Sequence, residues 1–371
     1  MTEISEKTPL LGLNEVHDLM DWFHRHSIDY PWGDNPTPYR VWISEIMLQQ
    51  TVVTAAIDHF IRWMDLFPDI QSLTEAREQT VLKAWEGLGY YSRARNILKG
   101  ALFLTEYHHG TLPSSYEELI KVPGIGDYTA RAILSLAFSR SYPVLDANVR
   151  RIGQRLRAVR DWQIQDDRLL LRQLEVLIPP ESPGAFNCAL MQLGQLICRV
   201  RSPECSSCAL AESCQTRKQG LQAEIPAPKK RKIKEKKSTL LLLTRDGRFL
   251  MTRRSRGLGK GLWFIPSVPR GEEGIILRTL KEQTEQTLPL QERVHLYTTW
   301  KEQLFPLMLV LRGFPDEIPE WIRTHEDDTV EWINFRDLDS YPTASVYRKI
   351  LEEIPPIFTA KTALIACESL P

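Results

Sequence analysis

The sequence predicts two domains of different class, an all-helical one followed by an α+β one, and three observations carry that reading. From Leu13 to about Leu221 apolar residues recur at three- and four-residue spacing, with no alternating run among them. Next comes EIPAPKKRKIKEKK, whose two prolines and seven Lys or Arg leave no apolar face to bury. Beyond it the apolar runs turn short and are bounded by turn residues, as strands are. A chain of 371 residues also exceeds what one hydrophobic core serves, so two domains suit its length.

Taken in order, the spacing predicts a helical domain over residues 8–221, with helical segments at Val41 to Phe67, Thr80 to Tyr107 and Tyr128 to Phe138. An extended linker is expected at 222–238. Over 239–360 strands are expected at Ser238 to Leu243, Phe249 to Thr252, Val294 to Trp300, Leu304 to Gly313 and Thr329 to Ile333, with one helix near Ile275 to Thr287.

The formal charge is zero but polarised. Between Arg150 and Lys237 lie 18 of the 47 Lys and Arg against 9 acidic residues, whereas the first 100 residues hold 9 basic and 14 acidic. A basic half of this kind gathers a polyanion by releasing its counterions, and a solvated charged surface is the competing account. No apolar run approaches the length of a membrane span, and MTEISEKTPL lacks the basic start and apolar stretch of a secretory signal. A reduced cytosolic location is expected, with no membrane partner.

Four cysteines close the helical half in the pattern Cys198-x6-Cys205-x2-Cys208-x5-Cys214. This spacing suits one cuboidal [4Fe-4S] cluster. A structural zinc would usually show two close Cys-x2-Cys pairs with a longer insert, and disulfides would need an oxidising compartment. Cys188 and Cys367 lie far from the loop and receive no metal role.

Upstream, Leu119 to Ala132 reads LIKVPGIGDYTARA, a hairpin over 116–138 in which two glycines interrupt two helical segments. The amides of Gly124 and Gly126 open the following helix, where unpaired N–H groups and the helix dipole favour an anion such as a DNA phosphate. Alone, such a turn is only a helix stop. Followed by Val144-Leu145-Asp146-Ala147-Asn148-Val149 and the cysteine loop, it resembles the helix-hairpin-helix glycosylases of the endonuclease III superfamily. Val41-Trp42-Ile43-Ser44-Glu45-Ile46-Met47-Leu48-Gln49-Gln50-Thr51 and Gly87-Leu88-Gly89-Tyr90-Tyr91-Ser92-Arg93-Ala94-Arg95-Asn96 are similar to segments of the MutY-type adenine DNA glycosylases. The likeness runs from about Trp22 to Cys214. It implies excision of adenine mispaired with 8-oxoguanine or guanine in double-stranded DNA; the alternatives are a glycosylase of the same scaffold acting on thymine opposite guanine and a non-catalytic iron–sulfur DNA-binding sensor. A monomer is expected.

Cleaving a purine glycosidic bond needs a proton on the leaving base and negative charge beneath the sugar, and two carboxylates supply both. Glu45 lies within the apolar run WISEIMLQQ and Asp146 within PVLDANV. An acid among apolar neighbours keeps its proton to higher pH, so Glu45 is expected to be the general acid, matching the family's acid at purine N7. The resemblance makes Asp146 the ionised group at the anomeric carbon, with Asn148 orienting it. Tyr128 stands where the endonuclease III branch has a Schiff-base lysine, and a phenol cannot form that imine. A monofunctional hydrolase follows, with Tyr128 hydrogen-bonding near Asp146.

The resemblance further makes Gln50 and Tyr90 wedges in the duplex with Thr51 nearby. Arg93 and Arg95 are candidates for DNA backbone contacts, with a basic helix face an equally good account. Trp32, Cys188 and Gln192 fall in the base pocket. Cys188 and Gln192 stand where relatives usually show Gln and an acidic residue, and Gly33 where an arginine is common. Arg253 to Pro266 looks like the start of the family's Nudix-like domain. Its helix, Arg278-Thr279-Leu280-Lys281-Glu282-Gln283, lacks most of the carboxylates that would hold magnesium, so a binding module without pyrophosphatase activity is expected. YTTWK at Tyr297 to Lys301 replaces the Phe-Ser-His turn that inspects oxidised guanine, leaving Thr298 or Thr299 to supply a hydroxyl.

Overall fold

The computed structural model describes residues 10–227, 233–297, 300–315 and 319–354. Backbone packing divides the chain into two compact units, one drawn from Met1–Glu75 and Asn96–Lys230, the other from Ala76–Arg95 and Arg231–Pro371. The division differs from the expected 8–221 boundary, because residues 76–95 cluster with the second unit.

The first unit holds helices α1 (Leu13–His26), α2 (Pro38–Leu48), α3 (Val53–Leu66) and α4 (Ile70–Thr74). Glu78–Ala84 forms α5 in the second unit, and α6 (Ser92–His108) runs back into the first. Then follow α7 (Tyr116–Leu119), α8 (Asp127–Leu136), α9 (Ala147–Arg157), α10 (Ile164–Leu177), α11 (Pro183–Leu196) and α12 (Gln215–Lys218). Helix α2 starts where Thr37 caps the Arg40 amide and Pro38 supplies a preset φ. It is buried all round from Val41 through Met47, which makes it the central helix and encloses Glu45. Leu19, Leu174, Phe186 and Leu193 join α1, α10 and α11 in a core that also packs against Cys198, Cys208 and Cys214. Burying each such side chain contributes about 1.5–3 kcal/mol.

Two expected continuous helices are broken. Between Val41 and Phe67 the chain turns at Gln49–Val52, where Gln50 takes φ +58° and Val52 is extended. Between Thr80 and Tyr107 it turns at Gly87–Tyr90, with φ of +103°, +69° and +47° at Gly87, Gly89 and Tyr90. Apolar periodicity survives both breaks because each flanking helix buries its own stripe.

In the second unit eight strands form one sheet: β1 (Lys234–Arg245), β2 (Arg248–Arg253), β3 (Trp263–Phe264), β4 (Ser267–Pro269), β5 (Thr284–Pro289), β6 (Arg293–Leu296), β7 (Trp300–Leu311) and β8 (Thr329–Asn334). Strands β1 and β7 run parallel, Lys234 facing Trp300 and Thr244 facing Val310, and the other named pairs are antiparallel. Leu240 to Leu243 are all fully buried, so β1 is covered on both faces. Helices α13 (Glu273–Thr279) and α14 (Ser345–Glu352) belong to this unit.

The expected linker ends earlier than 238. Strand β1 begins at Lys234, its exposed lysines pairing by backbone with β7 while Lys236 reaches Glu302 at 3.2 Å. The expected helix at 275–287 is also corrected: α13 stops at Thr279, and Thr284–Pro289 is β5, laddered on β7. β-Branched Thr284 and Thr287 suit that ladder better than a helix. Thr298 and Thr299 lie outside the described residues, as does Cys367.

Candidate active site in the helical unit

Helix α2 places Glu45 at 5 % exposure. From the first turn of α8, the Tyr128 hydroxyl donates to Glu45 Oε2 at 2.6 Å, with Met191 Sδ 3.9 Å away. Burial raises the Glu45 carboxyl to about 7; the Tyr128 donation opposes the rise and the charge of Asp146 adds to it. The acid therefore still holds its proton near neutrality, as the apolar sequence around it implies. Tyr128 was expected to bond near Asp146; its partner is Glu45, and Asp146 acts on the phenol through its charge.

Asp146 caps α9, its Oδ1 accepting the Val149 amide at 2.7 Å and its Oδ2 accepting Asn148 Nδ2 at 2.7 Å. Burial raises this carboxyl, and the Val149 and Asn148 donations pull the other way. The cap's donors favour the ionised form of Asp146, and its charge acts on Glu45. Asn148 is itself held, its Oδ1 accepting Arg151 Nη2 at 2.8 Å. Arg151 also donates to the Cys198 carbonyl at 2.7 Å and the Gly194 carbonyl at 2.7 Å. At Gly194 a Cβ would stand 2.5 Å from that of Asn148, so only glycine lets α11 lie this close to α9. Fully buried Asn187 accepts from the Val144 amide and donates to the Tyr142 carbonyl, pinning the strand-like approach to Asp146.

The three expected pocket residues part company. The Cys188 thiol is pushed up to about 12 by burial and by the Glu45 charge, so a neutral thiol faces the acid. Gln192 spends its amide elsewhere, accepting from the Ile28 amide at 2.9 Å and donating to the Ile28 carbonyl at 3.0 Å. That clip ties α11 to the segment after α1, and it withdraws both polar ends from a base. Trp32 stacks on Tyr30 with ring centroids 5.0 Å apart and meets Phe60 edge-on at 5.7 Å.

Gln50 is exposed at its turn, and the Thr51 hydroxyl donates to the Gln49 carbonyl. Gly124 takes φ +87° with Asn96 pressed beneath it, where a Cβ would come within 2.8 Å. Gly126 is exposed at the start of α8, with nothing within 4 Å of a built Cβ. Tyr90 is 44 % exposed in the second unit. Arg93, expected to meet a DNA backbone, is buried and donates to the Leu88 and Gly89 carbonyls instead. A guanidinium satisfied within its own turn shapes that turn rather than reaching a phosphate.

Cys198, Cys205, Cys208 and Cys214 line one cavity together with Arg155 and Gln222. Among the described residues no group of three or more His, Cys, Asp and Glu is gathered to hold a metal ion. The wall is built by Arg155, 2 % exposed, which donates to the carbonyls of Cys198, Arg199, Val200, Gln222 and Ile225 and lies 3.3 Å from Cys198 Sγ. Burial, together with the charges of the other three cysteines, raises Cys208 to about 12. The cavity lining offers four cysteine sulfurs and no carboxylate, a soft donor set whose chemistry suits iron–sulfur or zinc. Sequence reading missed Arg151, Arg155 and Asn187, each of which has partners more than forty residues away in the chain.

Residues 43–180 match the HhH-GPD superfamily of base excision DNA repair proteins. A helix-hairpin-helix base excision repair scaffold is therefore the class of this molecule. A Buchnera aphidicola (subsp. Acyrthosiphon pisum) adenine DNA glycosylase is 31% identical over 341 residues, which cover 90% of this chain and 95% of the relative. The human adenine DNA glycosylase is 35% identical over 238 residues, 61% of this chain and 42% of that one. Among solved structures, a thermostable thymine-DNA glycosylase shares the helical fold at TM-score 0.51, with 22% identity, over 55% of this chain and 95% of its own. The chain belongs to the adenine DNA glycosylase family.

Proposed function

We propose that this chain is a monofunctional DNA glycosylase that flips adenine out of a mispair with 8-oxoguanine or guanine and hydrolyses its glycosidic bond. The observation that carries the reading is Glu45, buried and raised to about 7, hydrogen-bonded to the Tyr128 phenol and coupled to Asp146. Glu45 delivers a proton to the purine at N7, and the sugar becomes an oxocarbenium ion as the bond breaks. Asp146, oriented by Asn148 and Val149, sets a negative charge against that cation. Because position 128 offers a phenol and not an amine, water ends the reaction and the strand stays whole.

The double-stranded substrate is held by the Gly124 and Gly126 amides, with Gln50, Thr51 and Tyr90 filling the gap left by the flipped base. The four cysteines would hold a [4Fe-4S] cluster, one thiolate to each iron, which stiffens the loop between Cys198 and Cys214. The sheet unit acts as a Nudix-like module that reads the opposing base, and the chain works as a monomer.

Single-turnover base release tests this directly, using duplexes with adenine opposite 8-oxoguanine, adenine opposite guanine and thymine opposite guanine, each read after alkali. Release of adenine from the first two and not of thymine is expected. Strand scission without alkali, trapped by borohydride, would overturn the monofunctional assignment.

A further inference from the structure

The second unit contains a segment that the sequence assigned to the helical domain, residues 76–95, and this segment carries Tyr90. Its attachment is specific. Glu86 Oε1 accepts from Arg348 Nε at 2.9 Å and the Thr343 hydroxyl at 3.0 Å, while Oε2 accepts from Arg348 Nη2 at 3.2 Å and Lys83 at 2.6 Å. Arg348 completes its fork on the Leu338 and Tyr341 carbonyls and Asp339 Oδ1, so all five guanidinium N–H donors have acceptors. Both side chains are nearly enclosed, at 11% exposure for Arg348 and 13% for Glu86.

The second tie lies four residues beyond the turn's first glycine. The Tyr91 hydroxyl donates to the Thr343 carbonyl at 3.1 Å. Glu86 and Tyr91 therefore bracket Gly87–Tyr90, and both are fastened to the stretch from Thr343 to Arg348. Within the bracket Trp85 Nε1 and Arg93 bond the Gly89 carbonyl, and the Arg93 guanidinium lies over the Trp85 and Tyr90 rings at 5.1 and 5.7 Å. Tyr90 is left-handed at φ +47°, a conformation that a bulky side chain keeps only when its surroundings impose it.

We propose that Arg348 and Glu86 are positioning residues for the proposed reaction, a clamp through which the sheet unit sets the Tyr90 turn for entry into the duplex. A buried ion pair is by itself weak evidence of stability, whereas one with every donor fixed specifies geometry. The proposal rests on the reading of Tyr90 as a wedge. It makes the sheet unit part of the flipping apparatus as well as a reader of the opposing base.

The test uses the full chain and a duplex with 2-aminopurine beside the mispair, whose fluorescence rises on unstacking without any chemistry. Arg348→Lys keeps the charge and loses the fork. The double variant Glu86→Gln, Arg348→Met removes both charges and leaves none buried alone, and circular dichroism verifies its fold. In both, unstacking and the saturating single-turnover rate should fall at least tenfold, with duplex affinity nearly kept and the pH limb near 7 unmoved. Adding Tyr90→Ala should bring little further loss. Wild-type unstacking in a folded clamp variant, or losses that multiply with those of Tyr90→Ala, would overturn the clamp. Tyr90→Ala alone with undiminished unstacking would sink the wedge reading, and the clamp with it, whereas absence of base release despite normal unstacking would strike the glycosylase reading only.

Discussion

Glu45 is the residue at which burial, proton affinity and catalysis meet. A general acid raised to about 7 is half protonated there, so single-turnover base release should fall about tenfold per unit as pH rises beyond it. A rate that stays flat from pH 6 to 9 would contradict the assignment. Its stability linkage has a definite sign. The folded value lies above the ordinary 4.5, so the contribution is whole below that pH and is lost as pH rises through 7, on the order of 3 kcal/mol. Glu45→Gln should therefore match or exceed the wild-type Tm at pH 8, lose that advantage at pH 5, and release base at least a hundredfold more slowly. Glu45 and Asp146 stand out in the sequence as charges in apolar runs, and it was the resemblance, not that pattern alone, that assigned their proposed roles. Gln192 was not legible: residue type cannot reveal that its amide is already spent on Ile28.

Helix α9 joins the carboxylate to the cysteine loop along one face. Asp146 caps it, Asn148 lies in its first turn, and Arg151 and Arg155 follow at a four-residue step that points both toward Cys198. The two arginines should fail differently. Arg155→Leu strips the donors from five carbonyls, that of Ile225 buried, and should lower both Tm and the iron and acid-labile sulfide bound per chain. Arg151→Leu frees Asn148, and should cut single-turnover release more than it cuts iron content. Gly194→Ala forces a Cβ against α9 backbone and side chain, and should cost activity even where the protein still folds. The basic excess between Arg150 and Lys237 pointed to a polyanion, yet Arg150 is paired with Asp167 and Arg151 and Arg155 are buried. Charge counts do not distinguish cations facing solvent from cations holding carbonyls.

At the scale of the whole molecule, the change from helical to strand texture was legible as a shift in apolar period, whereas the expected linker was too wide: Ile225 is fully buried and the lysines from Lys234 onward belong to β1. Membership of residues 76–95 was not legible, since Glu86 and Arg348 are 262 residues apart and each resembles an ordinary surface charge. The grouping has a thermodynamic signature. Weakening the sheet with Leu243→Ala, a fully buried position, should cost about 2–5 kcal/mol. Amide exchange in 76–95 should then quicken along with the sheet while α9 keeps its protection. Equal acceleration in α9 would show that the units do not open independently.

The reach of Arg155 orders events during synthesis. Two of its acceptors, the carbonyls of Gln222 and Ile225, lie well downstream of the last of the four cysteines. A nascent chain that has released Cys214 from the ribosome but not yet Ile225 has its thiols in place and one side of their enclosure missing. If the proposed cluster is bound there, iron and sulfide delivered before that point would meet a half-made vessel, and loading would follow the emergence of Ile225.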